Sequence, residues 1–150
     1  MKKLLIVYES RTGRTETMAK AVQEGAVSVG ASVSMKKAAE ATMDDLLYCD
    51  AVIFGSPTNF GYIAGTLKEF FDRVWLNLGK REISEPYAAF GIGQAGGKPV
   101  LKCIDGICEE FVGWANFKLE KAHEGVAATR EPSPEVLEEC KRLGKKMAQL

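Results

Sequence analysis

The sequence predicts a doubly wound α/β fold, a three-layer α/β/α sandwich whose five-stranded parallel sheet is ordered 2-1-3-4-5. Three observations predict it. Short apolar runs alternate with segments of helical period along the whole chain. Loops rich in glycine and hydroxyl groups follow the first, third and fourth of those runs, where an open parallel sheet gathers its ligand-binding loops. Right-handed crossovers then leave few topologies for five such units.

Each element has its own signal. The first strand is Lys3 to Tyr8. The first helix runs from Thr15 to Val29, with Met18, Ala19, Val22, Ala26 and Val29 on one stripe, and Gly30 ends it. Ser32 to Lys37 alternates weakly, as an edge strand does. Thr42 caps a short helix over Met43 to Tyr48. Ala51 to Phe54 is a continuous buried run ending at Gly55. The third helix, Gly65 to Leu78, places Leu67, Phe70, Phe71, Val74 and Leu78 at helical spacing. Tyr87 to Ile92 is the fourth strand and Lys98 to Val112 the fourth helix. Phe117 to Lys121 is the fifth strand, with Gly125 to Ala128 either its continuation or a loop. Pro132-Ser133-Pro134 opens the last helix, Ser133 capping it. With no internal repeat or linker, one domain spans residues 1–150.

Composition narrows the function. The chain is 46% apolar and 27% charged with a formal net charge of zero. It carries no basic stripe, so nucleic acid is not an expected partner. No stretch approaches the roughly 18 apolar residues of a membrane span. The short apolar run after Met1-Lys2-Lys3 is ended by Glu9 and Arg11, which excludes a signal-peptide reading. Cys49, Cys103, Cys108 and Cys140 show no C-x-x-C spacing and read as reduced thiols of a cytoplasmic protein, with no metal site.

The loop Ser10-Arg11-Thr12-Gly13-Arg14-Thr15 carries the most chemistry. It joins a buried strand to a helix. Gly13 permits a tight turn and close approach of a ligand. Ser10, Thr12 and Thr15 offer hydroxyls, and the helix directs unpaired N–H groups and about half a positive charge at the same spot. The combination is a cradle for the phosphate of a cofactor.

Two further loops belong at the same sheet edge. Gly55-Ser56-Pro57-Thr58-Asn59-Phe60-Gly61-Tyr62 leaves the third strand with two aromatics on an exposed turn, which invites a flat ligand. Gly91-Ile92-Gly93-Gln94-Ala95-Gly96-Gly97 matches G-x-G-x-x-G literally but follows the fourth strand rather than the first. A dinucleotide fingerprint belongs after the first strand, so these glycines need another cause. They suit close approach of backbone to a ring held between this loop and Phe60.

Taken together, these motifs resemble the flavodoxin-like FMN proteins over nearly the whole chain. The family's phosphate loop, T/S-x-T-G-x-T, stands intact at Ser10–Thr15. The stretch from Gly55 to Gly61, with Gly65-Thr66-Leu67-Lys68 and Phe70-Phe71-Asp72-Arg73, is similar to tryptophan-repressor-binding-protein-like NAD(P)H:quinone oxidoreductases and related FMN reductases. Ala89-Phe90-Gly91 followed by Gly96-Gly97 resembles the flavodoxin domain of A-type flavoproteins. The resemblance implies that Ser10, Arg11, Thr12, Gly13, Arg14 and Thr15 hold the FMN phosphate. It implies that Ser56, Pro57, Thr58, Asn59, Phe60 and Gly61 line the ribityl chain and ring. Gly91, Gly93, Gln94, Gly96 and Gly97 would flank the ring's other side. No protein side chain is assigned a catalytic role, since the flavin does the redox chemistry.

Departures from the carrier pattern point toward an enzyme. Residues 91–97 contain neither an acid nor an aromatic, which leaves one ring face open for NADH, NADPH or a quinone. Net charge is zero, whereas family carriers are strongly acidic. The expectation is therefore an NAD(P)H-dependent oxidoreductase reducing a quinone or similar small acceptor. The alternative is a one-electron carrier between redox partner proteins. Arg11 and Arg14 are assigned to the FMN phosphate or to the 2′-phosphate of NADPH, with solvent as the other reading for Arg11. His123 is read as a surface or satisfied histidine. Trp75 and Trp114 are read as packing residues, Trp75 also as a homo-oligomer contact. A receiver domain is excluded by Gly55-Ser56 at the third strand end, and a small tyrosine phosphatase by Ser10 where its cysteine would stand. No Walker P-loop is present.

Overall fold

Side chains on successive strand residues point to opposite faces of a pleated sheet, and here that alternation sorts the core into two helical layers. The computed structural model describes residues 1–111, 114 and 116–150. β1 (Lys3–Tyr8) sends Leu5 and Val7 to one face and Leu4, Ile6 and Tyr8 to the other. β3 (Ala51–Pro57) separates Val52 and Phe54 from Ala51 and Ile53 in the same way. β4 (Ile83–Gly93) separates Tyr87 and Ala89 from Ala88, Phe90 and Ile92. Strands buried on both faces read as continuous apolar runs, which is why β1 and β3 show no period of two in the sequence.

α2 (Met43–Leu47), α3 (Gly65–Asn77) and α4 (Lys98–Glu110) cover the first face. α1 (Arg14–Ser28) and α5 (Pro134–Ala148) cover the second. With β2 (Ser32–Lys37) and β5 (Phe117–Lys121), the strands are ordered β2-β1-β3-β4-β5 and every pairing is parallel. The expected three-layer fold is the one observed. α1 and α5 meet backbone to backbone: a Cβ at Gly25 would overlap the Lys141 carbonyl, and one at Gly144 the Val22 carbonyl.

The caps follow the sequence. Thr42 and Asp45 form a reciprocal capping box at the start of α2. The Ser133 hydroxyl accepts from Val136 N at 3.2 Å at the start of α5. The fourth helix ends at Glu110, and the expected last residue, Val112, lies outside the described residues.

Three strand boundaries differ from the sequence expectation. β3 continues past Phe54 because Ser56 and Pro57 still pair with Gly91 and Ile92. β4 begins at Ile83 rather than Tyr87. Ser84, Glu85 and Pro86 hide that extension in the sequence. They are tolerated because β3 pairs with β4 only from Tyr87 onward, so residues 83–86 have β5 alone as a partner. A proline is acceptable in a strand segment with one open side. Finally, the fifth strand position is filled by two segments. β5 pairs with residues 83–87 of β4, and β6 (Val126–Thr129) pairs with residues 90–93. Gly125 lies in the short excursion between them, where a Cβ would stand 2.5 Å from the Ala89 carbonyl oxygen.

Candidate cofactor site

All strands point their carboxyl ends one way, so the loops after β1, β3, β4 and β6 converge on one edge. They enclose a cleft of about 190 Å³. Arg11, Thr12, Arg14 and Thr15 line it from the first loop, and Pro57, Thr58 and Asn59 from the loop after β3. Ile92, Gly93 and Gln94 come from the end of β4, and Arg130 from the end of β6.

The first loop is held open rather than filled. Gly13 is the N-cap of α1 with φ +91°, and this cap residue contributes no side-chain bond to the helix. A Cβ there would meet nothing within 4 Å, so the glycine serves the backbone conformation and leaves space over the helix end. The first-turn N–H groups of Arg14 and Thr15 have no intrahelical acceptors. Glu16 N is the exception, donating to Ser10 Oγ at 3.2 Å. Glu9 anchors the loop from below: its carboxylate accepts from Ser10 N at 2.8 Å and from Thr66 Oγ1 at 2.8 Å. Buried Tyr8 donates to Glu16 Oε1 at 3.0 Å, and burial, with that carboxylate, pushes its phenol up to about 12.

The second loop closes as a two-residue hairpin. Asn59 and Tyr62 exchange main-chain bonds of 2.8 and 2.9 Å around Phe60 (φ 53°) and Gly61 (φ 74°). Two positive φ values make this a type I′ geometry, easy for Gly61 and strained for Phe60. The Phe60 ring is fully exposed at the tip. Ser56 faces inward instead: its hydroxyl donates to the Pro57 carbonyl at 2.7 Å and accepts from Ala64 N at 2.8 Å. Its role is to shape the loop.

The glycines after β4 divide into two groups. Gly93 lines the cleft, where a Cβ would stand 2.8 Å from Thr58 Cβ. Gly96 (φ +119°) shapes the turn, and its carbonyl accepts from Thr58 Oγ1 at 3.0 Å. Gly91 and Gly97 pack against each other instead: a Cβ at Gly97 would overlap the Gly91 carbonyl, and one at Gly91 would crowd Val100. Both are buried and neither lines the cleft. Their glycine requirement comes from the close fit of β4 against α4. A Cβ at Gly93 would also stand 2.7 Å from the Gly96 carbonyl oxygen, so packing within the protein requires glycine at all three positions, and only Gly93 among them also lines the cleft.

Arg14 is already paired. Its Nε and NH2 donate to Glu131 Oε1 at 2.8 and 2.7 Å. Arg11 and Arg130 form no ion pair among the described residues. Arg130 is invisible to sequence reasoning because Gly125 to Ala128 read equally as strand or loop. Recognising β6 as a strand would have put Arg130 at its carboxyl end, beside the cradle.

His123 is partly buried in the β5–β6 excursion, and its buried Nε2 has no hydrogen-bond partner among the described residues. Trp75 packs edge-on to Trp114 at 6.3 Å, and both stay partly exposed. They line a groove between α3 and α4, outside the cleft lining. All four cysteines are unpaired thiols. Among the described residues no cluster could hold a metal, and no helix is long and apolar enough to cross a membrane.

The donor set suits a phosphorylated flavin. Hydroxyls, the N–H groups of Arg14 and Thr15 and the guanidinium groups of Arg11 and Arg130 fit a phosphate, while Pro57 on the cleft wall and the exposed Phe60 ring on the adjoining hairpin offer apolar surface for a planar ring. Comparison with known proteins agrees with this chemistry. Residues 5–90 match the Flavodoxin domain family model. A flavodoxin of Aquifex aeolicus (strain VF5) is 35% identical over a 164-residue alignment covering 99% of this chain and 86% of that protein. Among solved structures, a flavodoxin from the domain Archaea superposes with TM-score 0.80 at 24% identity, covering 98% of this chain and 96% of that one. Rubredoxin oxygen:oxidoreductase from Desulfovibrio gigas superposes with TM-score 0.81 at 19% identity. That match covers 99% of this chain but 36% of the larger protein. At these identities the two structural likenesses speak to the fold alone.

Proposed function

The chain belongs to the flavodoxin family, and on that premise we propose that it is an FMN-binding one-electron carrier between redox partner proteins. The observation that carries the reading is the α1 N-terminus, opened by a glycine cap, at a cleft lined by Thr12, Thr15 and three arginines. A phosphate placed there receives main-chain N–H groups and hydroxyls from residues 11–15. Pro57, Thr58, Asn59 and Phe60 are placed along one side of the ribityl chain and ring. Gly93 and Gln94 are placed along the other. Bound FMN would supply reversible electron uptake, which no side chain lining the cleft can supply. Phe60, on a hairpin fixed by two main-chain bonds, limits solvent at the ring edge while leaving it accessible to a docking protein. The proposal places the protein in the cytoplasm, where four thiols persist.

The carrier reading is preferred over the oxidoreductase expected from sequence because the family model and the Aquifex relative are both named for flavodoxin. One observation favours the NAD(P)H oxidoreductase as a second reading. Gln94 and Ala95 are exposed, and no aromatic stands between Gly91 and Gly97 to cover that ring face. Calorimetry with FMN, followed by anaerobic mixing with NADH or NADPH and a quinone, tests both. A carrier takes up FMN, does not turn over the nicotinamide nucleotide, and when reduced by dithionite passes electrons to a one-electron protein acceptor such as cytochrome c. Sustained NAD(P)H oxidation would overturn it in favour of the second reading. Absence of FMN uptake by folded protein would overturn both.

A further inference from the structure

Resting on the FMN reading, we propose that Arg130 and Arg11 form a guanidinium pair that grips the phosphomonoester of the cofactor and makes the site selective for FMN over riboflavin. The two side chains reach the cleft from separate elements, Arg11 from the loop after β1 and Arg130 from the end of β6. The first residues of α1, Arg14 and Thr15, line the same cleft. A phosphomonoester brings nearly two negative charges at neutral pH. One helix N-terminus offers the equivalent of about half a positive charge. Arg14 contributes little more, since Glu131 holds its guanidinium through two contacts of 2.8 and 2.7 Å. Charge balance over the cradle is therefore left to Arg11 and Arg130, neither of which has an ion-pair partner among the described residues.

The backbone at Arg130 supports the assignment. Its φ is +64°, a region where glycine sits without penalty and a long side chain does not. The bond from Arg130 N to the Gly93 carbonyl, 2.8 Å, fixes that conformation beside the cleft. Among the described residues the Arg130 guanidinium forms no hydrogen bond or ion pair, and the residue is exposed. The side chain is thus placed for what enters the cleft.

FMN and riboflavin affinities of the wild type, Arg130→Gly and Glu131→Gln, read from flavin fluorescence between about 0.05 and 0.5 M salt, test this. The apo stability of each variant is measured alongside. Arg130→Gly is expected to fold at least as stably as wild type, to weaken FMN about tenfold, and to leave riboflavin unchanged. Its FMN affinity should also depend less on salt. Glu131→Gln, which frees Arg14, should tighten FMN several-fold and leave riboflavin unchanged. Equal losses for both flavins, or an unchanged FMN affinity in Arg130→Gly, would overturn the proposal while leaving the carrier reading in place. Failure of the wild type to bind FMN would overturn both, and the wild-type arm identifies that case.

Discussion

Glu85→Gln should stabilise the protein at alkaline pH and do nothing at acid pH. Glu85 sits near the amino end of β4, within the segment that pairs only with β5. Its Oε2 is buried without a hydrogen-bond partner among the described residues. Burial raises its carboxyl from the ordinary 4.5 to about 7; a main-chain contact from Ser84 opposes this and the charge of Asp50 adds to it. The folded value lies above the unfolded one, so the folded state binds the extra proton between pH 4.5 and about 7. Stability attached to this group is complete below that window and is lost as pH rises through it. The full shift corresponds to roughly 3 kcal/mol. The residue is partly exposed and solvent screens its charge, which brings the expected penalty at pH 8 to about 1–2 kcal/mol. Glutamine keeps the shape and removes the charge. Urea unfolding of apo protein should show the variant more stable by about that amount at pH 8, with the difference shrinking toward zero near pH 4.5. A difference that stays constant across the range would refute the burial argument. The change lies at the opposite end of the strands from the cleft, so FMN affinity should not move.

Two other variants test packing and site geometry. Phe60→Gly removes a strained positive φ from a fully exposed residue. Apo stability should hold or rise by up to about 1 kcal/mol, while FMN affinity falls about three- to tenfold through loss of an aromatic wall. Thermal melts and fluorescence titration separate the two effects. Gly144→Ala forces a methyl into the Val22 carbonyl where α1 and α5 touch, and should cost about 2–3 kcal/mol in urea unfolding. FMN affinity per folded molecule should be unchanged, because the contact lies outside the cleft lining.

Much of the fold was legible because its signals are local. Gly30, Thr42 and Ser133 each mark a helix end by backbone or hydrogen-bond chemistry confined to a few residues. The phosphate loop was legible for the same reason: Ser10–Thr15 need only their own turn and the helix behind it. The loop after β3 was readable as a turn, although its two-residue hairpin and the strain at Phe60 depend on the pairing of Asn59 with Tyr62. The G-x-G-x-x-G string was ambiguous because a glycine can serve a ligand or a neighbouring backbone, and the string is identical in both cases.

By itself, the sequence determined the alternation of buried strands and amphipathic helices, and with it the sheet order and the edge where loops gather. The hydrophobic period and the handedness of crossovers act without reference to distant side chains. The tertiary structure alone decided which polar groups face the cleft. Gly91 and Gly97 are spent on packing β4 against α4, Ser56 on its own loop, and Arg14 on Glu131, 117 positions away in sequence. Arg130 enters the site only because β6 pairs beside the end of β4. These are contacts between residues far apart in the chain, and no local pattern encodes the distance between them once the chain has folded.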